Sequence, residues 1–228
     1  MRTCRFVFLA ALSAAHLAVM AAGAADLRGN VELVNEKGQR ATGARQTVIY
    51  FTPAQGAKAP TPPAEPFSIA TVRKDFQPHV LPVPKGSRVA FPNEDVIIHN
   101  VFSVSGGNKF DLGLYRPGQS KEATFNEAGV ARIFCNVHHS MAAYVVVLDT
   151  PYYTQADANG DFVLAGVPDG PGTLTIWHER RGEPVTMEVT VPAAPVQARL
   201  ELNRERVPKH KNKFGKRYSR SRRDTDYR

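Results

Sequence analysis

The sequence predicts an all-β protein assembled from β-sandwiches. Three observations lead there. Apolar residues do not recur at three- and four-residue spacing over any long stretch between the two ends of the chain, so helical signal is scarce. Short β-branched and aromatic runs recur instead: Gln46 to Phe51 (QTVIYF), Ser87 to Phe91 (SRVAF), Val130 to Phe134 (VARIF), Tyr144 to Leu148 (YVVVL), Asp161 to Leu164 (DFVL) and Thr173 to Trp177 (TLTIW). Turn residues punctuate them at Pro84 to Gly86, Arg116 to Gly118, Asn159-Gly160 and Asp169 to Gly172.

Residues 1–24 read as a Sec-type secretory signal peptide. Arg2 and Arg5 precede a mostly apolar run from Phe6 to Met20, and Ala22-Gly23-Ala24 has the small-x-small form of a cleavage site. The run is 15 residues long and rich in alanine, too short for a comfortable membrane span. There is no twin arginine, which points to export unfolded and to acquisition of any metal outside the cytoplasm. The expected location is periplasmic or secreted. Removal of Cys4 with the leader makes Cys135 the sole cysteine of the mature chain. Exported thiols are normally paired or protected, so that residue needs a reason to be there.

Between the leader and the tail lie about 177 residues, enough for one large or two small domains. Residues 25–66 open with LRGNVELVNEKGQRATGARQTVIYFTP and close with AQGAKAPTPPAEP, a proline-rich stretch that cannot supply a central strand and marks a linker or long loop. Residues 67–149 carry two marked passages. The first is DFQPHVLPVPKGSRVAFPNEDVIIHNVFSV. The second is LYRPGQSKEATFNEAGVARIFCNVHHSM. Residues 150–202 contain YYTQADANGDFVLAGVPDGPGTLTIWHERRGEPVTMEVTV and VQARLELN. The DANGD stretch from Asp157 to Asp161 looks superficially like a calcium loop, but it lacks the glycine at the sixth position and the distal glutamate. Asn159-Gly160 is instead expected to be a hairpin turn.

In the middle segment the F-x-P, the V-x-F-x-N, the histidine followed by Asn-Val, the P-G-x-S turn and the strand delivering a cysteine come in the order found in cupredoxins. The segment resembles that family of blue-copper sandwiches over about 80 residues. The resemblance implies a Greek-key sandwich and a single type 1 copper. Thiolate and two imidazoles with a weak thioether are a ligand set suited to copper in electron transfer. Cys135, His138 and Met141 form C-x2-H-x2-M on one short loop, and His99 is the candidate ligand from another strand. The spacing is similar to an amicyanin-type loop and selects His138. Taking His139 would bring the ligand and Met141 too close to converge, so His139 is expected beside the site. The family reading gives Asn100 the role of tying the two ligand loops together. The loop departs from the amicyanin type in having no proline. His79, His178 and His210 are expected to be ordinary surface or strand residues.

The two flanks, joined end to end, resemble a carboxypeptidase regulatory-like (prealbumin-like, carbohydrate-binding-like) sandwich, chiefly through T-x-A-D-x-x-G-x-F-x-L-x-G-V-x-x-G in the second flank. The cupredoxin would then be inserted into it. The alternative is one enlarged cupredoxin with added edge strands. Pairing of Gln46–Phe51 with Thr173–Trp177 in a sheet of its own separates the two.

Residues 203–228 are strongly basic, with 11 Lys/Arg against 3 Asp/Glu, whereas Asp26 to Leu202 has 16 against 18. The charge of the chain therefore belongs to a tail, which is expected to be disordered. It is either a solubilising tail or a contact for an anionic membrane or envelope surface, and nucleic acid fits poorly with export. Two functions follow. The first is a periplasmic electron carrier, not an enzyme, working between a dehydrogenase-type donor (amicyanin's own setting is methylamine utilization) and a c-type cytochrome. The second is a cell-envelope module binding polysaccharide or protein, with copper structural or scavenged.

Overall fold

The structure, a computed structural model, describes residues 23–218. Most of the expected leader and the last ten residues of the tail lie outside the described residues. The first flank supplies β1 (Ala24–Asn35) and β2 (Thr47–Pro53). The middle segment supplies β3 (Phe67–Ser68), β4 (Ala70–Val72), β5 (Asp75–Gln77), β6 (Val80–Pro84), β7 (Ser87–Pro92), β8 (His99–Ser103), β9 (Phe110–Tyr115), β10 (Ser120–Phe125), β11 (Gly129–Phe134) and β12 (Ala142–Leu148). The second flank supplies β13 (Tyr153–Gln155), β14 (Asp161–Pro168), β15 (Gly170–His178), β16 (Val185–Val191) and β17 (Val196–Leu202). Among the described residues the only helical pieces are two 3-10 turns, Ala44–Gln46 and Gly106–Asn108. The molecule is all-β.

The four larger sheets are ordered β14-β1-β17, β13-β2-β15-β16, β6-β12-β11-β8-β9 and β10-β7-β3. The first two contain only flank strands. β2 pairs antiparallel with β15 from Thr47 opposite His178 to Pro53 opposite Gly172. β1 pairs parallel with β17, although the two are separated by most of the chain. Leu27, Val31 and Leu33 of β1 meet Ile49 and Phe51 of β2, and Leu174 and Ile176 of β15, in one core. The other two sheets enclose a second core around Phe76, Phe91, Phe125, Ile133, Val145 and Val147.

The two sandwiches are stacked. Every residue of β12 is buried. In a strand successive side chains face opposite ways, so a fully buried strand must be covered on both faces. Ala143, Val145 and Val147 enter the second core, while Tyr144, Val146 and Leu148 pack outward with Val48, Tyr50, Tyr153 and Trp177 of the flanks. β2 alternates in the same way, with Ile49 and Phe51 in the flank core and Val48 and Tyr50 at the junction. A fully buried valine contributes about 1.5–3 kcal/mol, so this junction holds β12 firmly. Tyr153 and Trp177 are thus packing aromatics, with Trp177 edge-on to Tyr144 at 5.6 Å.

Two expectations need correcting. The Asn159-Gly160 turn is not a hairpin, because β13 before it pairs with β2 and β14 after it pairs with β1. The turn carries the chain from one sheet of the flank sandwich to the other. Gly160 has φ 92°, and a Cβ there would lie 2.2 Å from the Val31 carbonyl oxygen, so only glycine fits. His178 does end strand β15, but neither it nor His79 is an ordinary surface residue: they are 1% and 7% exposed. Both meet the buried carboxylate of Glu179, His178 Nδ1 at 3.2 Å and His79 Nε2 at 3.8 Å.

Candidate metal centre

The centre sits where β8 begins and where β11 hands over to β12. β11 ends at Phe134, so Cys135 is delivered by a strand whose Ala131 and Ile133 are locked in the core. The loop then runs to Met141 and re-enters β12. It is closed by backbone bonds, with Met141 N–H donating to the His138 carbonyl at 3.2 Å and Cys135 N–H to the Met141 carbonyl at 3.4 Å. His99, the first residue of β8, is fully buried.

Three donor atoms converge. His99 Nδ1 lies 3.8 Å and His138 Nδ1 3.9 Å from Cys135 Sγ, and the two ring nitrogens are 3.2 Å apart. These atoms form the one group of three His, Cys or acidic side chains among the described residues that could hold a metal ion. Met141 is fully buried in the same core cluster as Cys135. His139 is exposed, with its ring 5.9 Å from that of Tyr218.

The residues around the donors set their chemistry. The Asp95 carboxylate lies 3.1 Å from His99 Nε2 and accepts a hydrogen bond from Nε2–H, which leaves Nδ1 with its lone pair directed at Cys135 and His138. Such outer hydrogen bonds orient a ligand ring and raise its basicity. Burial pushes the Asp95 carboxyl up. The Lys74 and Val96 N–H groups and His99 outweigh that and hold it below its ordinary value. Burial likewise holds His99 below the usual histidine range, with Asp95 pulling the other way. The Val137 N–H points at Cys135 Sγ from 3.4 Å. Asn100 is a bridge: its Oδ1 accepts from Asn136 N–H at 3.2 Å, and its Nδ2 donates to Asp111 Oδ1 and the Gly113 carbonyl at 2.8 and 3.0 Å.

Two imidazole nitrogens and a thiol sulfur facing one another in a buried pocket suit a soft cation that accepts nitrogen and sulfur donors. With His99 Nε2–H engaged by Asp95, the Nδ1 lone pair is free to serve, with Cys135 Sγ and His138 Nδ1, as one donor of a shared metal ion. Asp95 was missed as a participant by sequence reasoning. Its signal was the carboxylate four residues before His99 in the NEDVIIHN passage.

The fold and site define a copper-binding cupredoxin domain. Residues 68–148 match the family of copper-binding proteins of the plastocyanin/azurin type. No curated protein matches the chain. Similar solved structures include a copper-containing nitrite reductase from Thermus scotoductus, 26% identical over 37% of this chain and 22% of that one, with a TM-score of 0.35. The chain thus spans about a fifth of that reductase. A purple cupredoxin from Nitrosopumilus maritimus is 26% identical over 36% of this chain and 99% of its own, with a TM-score of 0.32. A variant of amicyanin in its reduced Cu(I) form is 24% identical over 44% and 98%, with a TM-score of 0.35.

Proposed function

We propose that the protein is an exported electron carrier in which His99, Cys135 and His138, with Met141 as a weak fourth donor, would hold one type 1 copper. The observation that carries this reading is the convergence of one buried thiol and two imidazole nitrogens within 4.8 Å of one another. Copper in such a set supplies one-electron chemistry between Cu(I) and Cu(II). The chain's own residues hold the geometry. Asp95 fixes the His99 ring, Asn100 joins the two ligand segments, and the surrounding core excludes water. His138 is half-buried at the end of the sandwich and is the route by which an electron leaves. A dehydrogenase-type donor and a c-type cytochrome acceptor are the expected partners, and the protein is a carrier rather than an enzyme. The flank sandwich is read as prealbumin-like, stacked behind the copper domain.

The test is optical. Copper-loaded protein should show an intense visible thiolate-to-copper band that Cys135→Ser abolishes, and a colourless Cu(II) form would rule the type 1 site out. The second reading, an envelope-binding module, draws on the flank sandwich and on the exposed lysines of the tail. Reduction of a c-type cytochrome favours the carrier. Reversible voltammetry with no transfer to any cytochrome favours the module.

A further inference from the structure

The tail from Asn203 contains no strand or helix up to Tyr218, yet this stretch is seated on the copper domain beside the ligand loop. Val207 packs against Phe102, Phe134 and Ala142. The His210 ring stacks on Phe134, the residue before Cys135, at 3.8 Å and 13°. Lys213 N–H donates to Asn136 Oδ1 at 3.1 Å, and Lys213 Nζ reaches Asp111 at 2.6 Å. Tyr218 Oη donates to the Cys135 carbonyl at 3.0 Å. These contacts begin just before the ligand loop and run along it.

The remaining side chains of the segment face outward. Lys209, Lys211, Lys216 and Arg217 are exposed. Among the described residues none of those four side chains makes a hydrogen bond or ion pair. Phe214 is 70% exposed and follows Lys213; Val137 is 45% exposed and follows Asn136. The two apolar side chains therefore flank the bond that ties tail to loop. Residues 203–218 hold seven Lys/Arg against one Glu, on a body whose own charge is slightly negative.

We propose that the seated tail, residues 207–218, is part of the face through which the metal site meets its redox partner, and that this partner presents an acidic surface. The proposal rests on the electron-carrier reading. An apolar centre rimmed by like charge is the composition of a transient docking surface, where charge sets the encounter rate more than the final affinity. The cations lie beside the loop that carries His138, so an acidic partner drawn to them arrives where the electron leaves. An anionic lipid surface would be drawn to the same charges. The apolar anchor is small, and the exposed charges of residues 207–218 border the loop that carries His138, so a redox protein is the better fit.

The experiment uses full-length, copper-loaded, reduced protein and the variant Lys209→Gln/Lys211→Gln/Lys216→Gln/Arg217→Gln. Each is oxidised by hexacyanoferrate(III), an anion, and by tris(phenanthroline)cobalt(III), a cation. One electron passes from the reduced protein to Fe(III) or Co(III) in each case. In the wild type the hexacyanoferrate rate should fall with added salt. In the variant the ratio of the hexacyanoferrate to the cobalt rate should drop about tenfold, with the visible spectrum and reduction potential unchanged. An unchanged ratio overturns the proposal while leaving the carrier reading intact. Wild-type protein that neither reagent oxidises overturns the carrier reading and the proposal with it. Phosphatidylglycerol vesicles form a second arm. Sedimentation with vesicles that the variant loses, together with an unchanged rate ratio, assigns the tail to lipid and also overturns the proposal.

Discussion

Glu179→Gln tests the junction between the two sandwiches. Glu179 is 6% exposed, between His178 and His79, and its Oε2 has no hydrogen-bond partner among the described residues. Burial raises its carboxyl from 4.5 to about 7, opposed by its own backbone N–H, Arg180 and Arg206. Burial also lowers His178 from 6.5 to about 4, opposed by the Gly43 carbonyl. The His178 tautomer follows from its contacts: Nε2–H donates to the Gly43 carbonyl at 3.2 Å, and Nδ1 accepts from Arg180 N–H at 3.1 Å. The folded state therefore holds a proton on Glu179 that the unfolded chain gives up above pH 4.5. The stability tied to that proton is full at low pH and is lost as pH rises to about 7. His178 acts in the opposite sense, with stability full above pH 6.5 and lost as pH falls toward 4. The two slopes offset each other in mildly acid solution. Above neutrality only the Glu179 cost remains, about 3 kcal/mol as an upper bound. Glutamine keeps the shape and cannot ionise. The variant should match or fall slightly below wild type at pH 5 and exceed it at pH 8, raising the thermal midpoint by several degrees. The assay is thermal unfolding of copper-loaded wild type and variant at both pH values. An equal difference between the two proteins at pH 5 and pH 8 would refute a buried, protonated Glu179.

Two further substitutions follow from the geometry. Asp95→Asn removes the anion that accepts the hydrogen bond from His99 Nε2–H, and copper affinity should fall about 10- to 100-fold in a competition titration against a chelator, with the fold intact. Gly160→Ala drives a Cβ against the Val31 carbonyl at a positive φ, and denaturant titration should show a loss of at least about 1–2 kcal/mol with the copper spectrum unchanged.

Much of the architecture was legible because strands announce themselves locally. All six runs identified from composition fall on strands, save that Gln46 closes the 3-10 turn before β2, and several strands are longer than the run, as Gly170–His178 is around Thr173–Trp177. β6 was obscured by Pro82 and Pro84. It is an edge strand, paired only with β12, which is where a sheet tolerates proline. Three of the converging donors were legible because two share a loop and the third precedes an asparagine in a recognisable passage. What escaped depends on contacts between distant positions. Nothing near His79 announces Glu179, 100 residues later, and a histidine beside a glutamate in a strand looks solvated until a second sandwich covers it. The tail's charge was read as a reason for disorder. Its seating depends on Val207, His210, Lys213 and Tyr218, each of which finds a partner on the copper domain.

The ligand loop lacks the prolines that would stiffen it by restricting φ, and the structure replaces them from three sides. From below, β11 and β12 hold its ends, and β12 is buried on both faces, so neither end can shift without disturbing a core. From within, Asn100 accepts from Asn136 N–H while its amide is spent on Asp111 and Gly113, which leaves it one orientation. From outside, Lys213 and Tyr218 engage the Asn136 side chain and the Cys135 carbonyl. Proline removes freedom from the backbone itself, whereas these contacts remove it through partners on other segments. A loop stiffened in this second way depends on the pieces that brace it. The flank sandwich that covers β12 and the tail that crosses the loop are thereby physically part of the metal site, although neither contributes a ligand.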